Sequence, residues 1–450
     1  MNTRLACKSN TAARKLYGGA AASFRLDLAQ EAFINYKSRC TIIMVCTLST
    51  GNGLPLLTLH GLNGKVYALA VQSAPILSYW SFSVPLLSTQ VRLEMMNAVV
   101  ASLLGASAMA VAFADPRVMI ESTYTGTEGL NDLAKKAWNG KYMGTATDVK
   151  QLGDPYYIQQ LNDTHDFSLI TPTTSMKVRS QGKQGVFTFD DADKIVAFAN
   201  KTGAQVRCHT LVEHKQVPEW VQVLEKAELL EAMSNHITKL MTHFGNSCYA
   251  WDVVNEAINE DGSYRESFWY KKTGKEYITA AFKTANAVKN KLGLQAKLYY
   301  NDYDINVANN KSDAVLAMAE SLRKDKIWVE GIGFQSHYSN NDTVRGADIF
   351  LNFRRFTYRH MDVAVTELDV RTSTANPTVS EQQQQVGIMT NVISACKKSQ
   401  RCAGVTTWDF VDTYSLTKSS APVLFYQPDG PKTPLVRKAT YDAITAGWIL

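Results

Sequence analysis

The sequence predicts an α/β fold, a single eight-stranded parallel barrel of β/α units. Three observations lead there. Eight short β-rich runs alternate with longer amphipathic stretches between residue 115 and the C-terminus. That alternation fills about 330 residues, the size of one closed barrel. Polar and aromatic residues gather at the C-terminal ends of the runs, where barrels carry their chemistry.

The strand candidates, in order, are YMGTAT (142–147), FSLIT (167–171), QVRCHTLV (205–212), YAWDVVNE (249–256), AKLYYND (296–302), GIGFQSH (331–337), DVAVTELDV (362–370) and GVTTWDF (404–410). Their interiors are apolar, as a sheet covered on both faces requires. Between them lie DADKIVAFANKTG, ELLEAMSNHITKLMTHFG, EYITAAFKTANAVKNKLG and SDAVLAMAESLRKD. Each has apolar residues at three-four spacing and Gly or charged ends, the pattern of a helix with one buried stripe.

Residues 1–94 show no periodic pattern long enough to define an element and are expected to be a disordered or wrongly joined extension. From Met95 the chain runs MMNAVVASLLGASAMAVAFADP, an apolar stretch closing on Ala112, Phe113 and Ala114. Small residues at 112 and 114 fit signal-peptidase cleavage, and the run is short for a membrane span. Residues 95–114 therefore resemble a secretory signal peptide, with the start of the natural chain at Met95 or Met96. The catalytic unit is expected over 115–450, secreted and free of the membrane in its mature form.

Charge agrees with that division. The chain carries a net +6, and residues 1–114 hold nine Lys/Arg against three acids, leaving 38 of each in the remainder. A neutral domain lacks the basic stripe that nucleic acid demands. Hydrophobic residues at 45% and charged residues at 20% are ordinary globular values. Of the cysteines outside the extension, Cys396 and Cys402 are six apart, a separation that a disulfide closes in an oxidising compartment. Cys208 and Cys248 fall toward opposite ends of neighbouring strands and are not expected to pair. Four sequons begin at Asn162, Asn200, Asn310 and Asn341, compatible with glycosylation. No spacing resembles a zinc site, and no metal is expected.

Two acids stand out. Glu256 closes Trp251-Asp-Val-Val-Asn-Glu and Glu367 lies in Val365-Thr-Glu-Leu-Asp, each at the mouth of a largely apolar strand. A lone acid at a strand end is ordinarily a solvated surface group. Two of them facing one mouth suit glycosidic cleavage, in which one carboxyl protonates the leaving oxygen and the other attacks or activates water.

These motifs make the chain resemble glycoside hydrolase family 10, known for endo-β-1,4-xylanases. The likeness runs from GLNDLAKKAWNGKYMGTATD through RCHTLVEHKQVPEW, YAWDVVNEAINEDG, LYYNDYDI, GIGFQSHY, VTELDV and TTWDF to PLVRKATYDAI, about residues 125–450. It implies a retaining hydrolase with Glu367 as nucleophile and Glu256 as acid/base. Asn255 matches the residue that holds the sugar 2-hydroxyl, and His337 the partner of the nucleophile. Lys177, His209, Gln216, Gln335 and Trp408 match sugar-binding positions, while Asp369 and Asp412 read as structural. The resemblance implies no cofactor, a monomer, and a plant cell-wall polysaccharide or glycoside as partner.

Departures from the family cluster on one side. Thr173 and Thr174 replace Glu-Asn, Val178 and Glu213 replace Trp, Cys208 replaces Gly, and Leu416 stands where a Trp covers the sugar. Sugar faces stack on aromatic rings and hydroxyls need oriented partners, so specificity is expected to shift before chemistry is lost. Two alternatives follow: a relative acting on another glycoside, such as a plant steroidal glycoalkaloid, or a non-catalytic sugar-binding barrel. Glu213 adds a third carboxylate that is expected to raise the pKa values of the catalytic pair.

Overall fold

The computed structural model describes residues 117–177 and 183–450 in full, together with the strands at 33–36, 39–47, 56–62, 65–71 and 78–83. The signal-like segment 95–114 and Val178 lie outside the described residues. The chain divides into two units, 1–114 and 115–450. In the first, the five strands form one antiparallel sheet in sequence order. The sequence reading assigned no element there. One local signal was available: the Leu62↔Lys65 pair brackets Asn63-Gly64, a dipeptide that favours tight hairpins.

The second unit is the expected barrel. Its strands are β1 (Tyr142–Thr147), β2 (Leu169–Pro172), β3 (Gln205–Val212), β4 (Cys248–Asn255), β5 (Lys297–Asp302), β6 (Gly331–Phe334), β7 (Asp362–Arg371) and β8 (Cys402–Thr407). All neighbours pair in parallel, and β8 pairs with β1 to close the ring. A short piece, His337–Ser339, extends β6 after a break and pairs with the end of β7.

The helices that follow each strand are α1 (Pro155–Leu161), α2 (Asp190–Thr202), α3 (Lys226–Phe244), α4 (Glu276–Leu292), α5 (Asn310–Lys324), α6 (Gly346–Thr357), α7 (Val379–Lys398) and α8 (Ala439–Ile449). In α3 the buried side chains Leu229, Met233, Ile237, Leu240 and Phe244 recur every three or four residues and face the sheet. The start of α7 is fixed by a capping box, with the Thr378 side chain accepting from Glu381 and Glu381 reaching back to Thr378. Strand boundaries fall within two or three residues of those read from sequence; GIGFQSH breaks after Phe334 because Ser336 takes a left-handed backbone (φ 68°).

Two features of the barrel interior prepare the site. Arg207 and Asp252, both fully buried, form a two-point ion pair at 2.5 and 3.2 Å, with the guanidinium 4.4 Å from the Tyr299 ring centre. Gly333 leaves the space that the Asn301 amide occupies, since any Cβ there would collide with that amide and crowd Thr366 and Arg207.

Both cysteine pairs are disulfides. Cys396–Cys402 joins α7 to β8 as expected. Cys208–Cys248 joins β3 to β4 with a Cα–Cα distance of 5.7 Å, inside the range a disulfide spans, and this corrects the expectation that they stay apart. Parallel register is the reason: β4 starts at Cys248 opposite Val206, so Cys208 lies only two residues further up the neighbouring strand. Among the described residues no helix is long and apolar enough to cross a membrane.

Candidate active site

The last residues of β4 build one wall of the barrel mouth. Asn255 is buried, and Glu256 follows with a left-handed backbone (φ 55°), a conformation that a non-glycine residue holds only when its surroundings enforce it. Here they do. The Glu256 N–H donates to the Asn301 carbonyl at 3.0 Å, and its own carbonyl accepts from Arg265 Nε at 2.7 Å. Glu256 Oε1 accepts from Gln335 Nε2 at 3.1 Å. Its Oε2 accepts no hydrogen bond from the described residues, and Lys215 Nζ and His214 Nε2 stand 3.5 and 3.7 Å away.

Glu367, on β7, is held on both oxygens. Asn301 Nδ2 donates to Oε1 at 2.8 Å and His337 Nε2 lies 3.1 Å from Oε2. Burial works against its charge, but hydrogen bonds from His337 and Asn301 and the nearby His209 and His337 charges outweigh it, so the carboxyl sits below its ordinary range. His337 is clamped in turn by Asp369, whose Oδ1 lies 3.0 Å from Nδ1. Burial lowers its pKa, yet the Asp369 and Glu367 carboxylates push it up to about 10. A raised imidazolium contributes stability in full below pH 6.5, and that contribution is lost as pH rises through about 10.

One amide joins the two glutamates. Asn301 Nδ2 reaches both Glu367 Oε1 and Asn255 Oδ1 (3.0 Å), and Asn255 Oδ1 also accepts from Gln335 Nε2 at 3.3 Å. Glu256, Gln335, Asn255, Asn301 and Glu367 are thus one hydrogen-bonded series across β4, β5, β6 and β7. Thr366 Oγ1 fixes the Asn301 orientation by donating to its Oδ1 at 2.7 Å. Asn301 was not selected from sequence, although it sits in the LYYND run one residue before the end of β5, the zone where barrels place functional groups.

Of the sequence-selected residues, Asn255, Glu256, Gln335, His337 and Glu367 come together directly. His209 lies behind them, its Nδ1 3.0 Å from Asp252 Oδ2, with its ring edge-on to Trp408. Trp408 also meets His337 edge-on and is buried. Gln216 stands exposed on the loop after β3, in a left-handed backbone (φ 55°). Asp412 is tied to Lys438 at 2.9 and 3.1 Å, a buried ion pair away from the glutamates.

Glu213 occupies the end of the β3 wall. Its Oε2 accepts from Asn255 Nδ2 at 3.1 Å and lies 3.7 Å from Lys177 Nζ. Its Oε1 accepts from the backbone N–H groups of His214 (2.8 Å) and Lys215 (3.2 Å). Burial raises its pKa, but the His214 hydrogen bond and the charges of Lys177, His209 and His214 bring it down to about 2. The third carboxylate is thus matched by its own partners, and Glu367 stays low instead of being driven up. Glu213, His214 and Glu256 bring ligand-type atoms within 4.8 Å of one another, a grouping able to hold a metal ion, but Lys177 and Lys215 already bring positive charge to the same carboxylates. Thr173 and Thr174 turn inward, both hydroxyls donating to Asp148 Oδ2 at 3.2 and 2.9 Å. Leu416 is 78% exposed.

Residues 129–444 match glycosyl hydrolase family 10. The chain is 38% identical over 332 residues to an endo-1,4-beta-xylanase of Agaricus bisporus, covering 72% of this chain and 96% of that protein. It is 39% identical over 316 residues to endo-1,4-beta-xylanase A of Humicola insolens, covering 66% and 82%. Among solved structures it resembles a family 10 xylanase from Bispora sp. MEY-1 with xylobiose (TM-score 0.68, 38% identity, 71% of this chain and 99% of that one). A glycosylated endo-beta-1,4-xylanase of Gloeophyllum trabeum is similar over 72% of this chain and all of its own (TM-score 0.65, 33% identity).

Proposed function

From the premise that this chain belongs to glycosyl hydrolase family 10, we propose that it is a secreted, retaining hydrolase of the β-1,4-xylosidic bonds of xylan. The observation that carries this reading is the unequal treatment of the two glutamates. Glu367 carries one donor on each oxygen and is held ionised, which suits a nucleophile. Glu256 has one oxygen tied to Gln335 and the other without a hydrogen bond among the described residues, which suits a group that must pass a proton to a leaving oxygen and take one back from water.

The steps follow from that division. Glu367 Oε attacks the anomeric carbon as Glu256 protonates the departing oxygen, and a covalent glycosyl-enzyme forms. Water deprotonated by Glu256 then displaces Glu367, so the product keeps the β configuration. Asn255, whose amide is oriented by Glu213 and Asn301, presents a donor toward the 2-hydroxyl of the bound sugar. Lys177, His209, Gln216, Gln335 and Trp408 complete the sugar-binding set. Export is supported by the apolar 95–114 segment and by two disulfides, which belong to oxidising compartments.

The test is to incubate purified protein with xylan and, in parallel, with a steroidal glycoalkaloid, following the first-formed anomer by NMR. Xylan turnover with a β product is expected. An α product would overturn the retaining mechanism, and release of sugar from the glycoalkaloid alone would replace the substrate.

A further inference from the structure

We propose that the end of the barrel opposite the two glutamates carries a second, non-catalytic carbohydrate site, one that takes uronic-acid-bearing segments of the polymer. This rests on the reading of the chain as a polysaccharide hydrolase. A cleft of about 380 Å³ opens there, lined by Lys289, Lys297, Arg323, Trp328, His360 and Arg401 among others. Lys297 opens β5, Trp328 and His360 precede β6 and β7, and Arg401 precedes β8; Lys289 and Arg323 come from the C-terminal parts of α4 and α5. All of them therefore sit at the N-terminal ends of the strands.

Two features make this cleft more than a surface depression. The first is Trp328, a large aromatic ring left 50% exposed. Its backbone is held at both polar atoms by one side chain: Trp328 N donates to Asn286 Oδ1 at 3.2 Å, and Asn286 Nδ2 donates to Trp328 O at 3.0 Å. A ring on so fixed a backbone is pre-set for stacking against the C–H face of a sugar, which loses little freedom on binding.

The second feature is charge. Glu330 answers Lys289 at 2.6 Å, and Asp362 answers both Arg401 (2.6 Å) and Lys297 (3.3 Å). Arg323 donates to a neutral acceptor, the Arg359 carbonyl, at 2.7 Å, and its guanidinium lies 5.4 Å from the Trp328 ring centre. Four cations thus face two carboxylates, a local positive excess in a unit whose Lys/Arg and Asp/Glu balance over 115–450. An aromatic platform beside an arginine with charge to spare fits a ring that carries a carboxylate. A nucleic acid would require a basic stripe tracking a backbone, and the excess here is confined to one cleft. A second point of attachment would raise the effective concentration of polymer at the mouth without altering the chemistry there.

The test uses the full chain carrying Glu367→Ala, so that the matrix is not digested, with xylotriose saturating the mouth. Retention is measured by affinity electrophoresis in glucuronoxylan, in the same polymer with its carboxylates reduced, and in polyphosphate. Trp328→Ala is expected to weaken retention in both xylan gels about tenfold, the worth of one good aromatic face. Arg323→Gln is expected to weaken it about threefold in the acidic gel and not in the reduced one. Trp328→Phe, which keeps an aromatic ring, should restore most of the retention, and in protein that retains Glu367 both Trp328→Ala and Arg323→Gln should keep wild-type turnover of a short aryl xylobioside. Retention unchanged by Trp328→Ala, or strongest in polyphosphate and indifferent to Trp328, would overturn the proposal. Trp328-dependent retention by a protein that fails to hydrolyse xylan would instead count against the substrate reading alone.

Discussion

On the β4–β7 side of the mouth, Asn255, Glu256, Asn301 and Glu367 are largely buried and joined through one hydrogen-bonded series, whereas on the β2, β3 and β8 side Thr173, Thr174, Glu213 and Leu416 are each settled by separate neighbours or by solvent. The Thr173 and Thr174 hydroxyls are tied to Asp148, and Leu416 is largely exposed to solvent. The difference explains why departures from the family collect on one side. In the shared network each amide serves at least two partners, so a replacement leaves a buried group without its hydrogen bond, a cost that falls on the reaction. On the other side a substitution is absorbed locally. Glu213 is the exception, since it stands on the variable wall yet reaches the network through Asn255.

The sharpest way to break this comparison is at its ends. Glu367→Ala is expected to reduce xylan turnover by on the order of 10⁵-fold, because the covalent step has no substitute; near-normal rates in a discontinuous reducing-sugar assay would refute the role. Glu256→Ala should cost about 10²- to 10⁴-fold on xylan, the usual range for general acid catalysis, and far less on an aryl glycoside whose leaving group needs no proton. Equal losses on both substrates would remove Glu256 as the acid.

Smaller effects sharpen it. Replacing Cys208 and Cys248 together by Ser opens the link between β3 and β4, 40 residues apart in sequence, and should lower unfolding free energy by about 2–4 kcal/mol in a denaturant titration, with little effect on KM. Asn301→Ala is expected to lower kcat about 10- to 100-fold, the worth of a hydrogen bond to a charged group, whereas Thr174→Ala should leave kcat within about twofold. If Thr174→Ala hurt kcat as much as Asn301→Ala, the division between the two walls would fail.

The smallest effect concerns pH. With its pKa at about 2 in the folded protein and an ordinary 4.5 otherwise, Glu213 contributes stability above pH 4.5 that is lost as pH falls through about 2. Glu213→Gln should therefore unfold at lower denaturant than the parent at pH 6 and match it near pH 2. A constant difference across that range would show that the ionised carboxylate plays no part.

Much of this was legible from the amino acids. Alternating apolar runs and amphipathic stretches located all eight strands, because strand and helix periodicity is a property of neighbours along the chain. Glu256, Glu367, Asn255, His337 and Gln335 were legible for a similar reason, as each closes or follows an apolar run that had to be a strand. The five-stranded ladder of the first unit was not, since its runs are short and its pairing is what defines them.

What the tertiary structure alone decided are the relations between strands. Asn301 lies 66 residues from Glu367, and nothing local marks it as their link until β5 and β7 are brought round the ring and Gly333 leaves room for its amide. Cys208 meets Cys248 because parallel register places them two residues apart on adjacent strands. Glu213 reads as an isolated extra charge in sequence, yet Lys177, His214 and Asn255 converge on it from β4 and from the loops after β2 and β3. A strand's own pattern states which face is buried; which partners meet across that face is set only when the barrel closes.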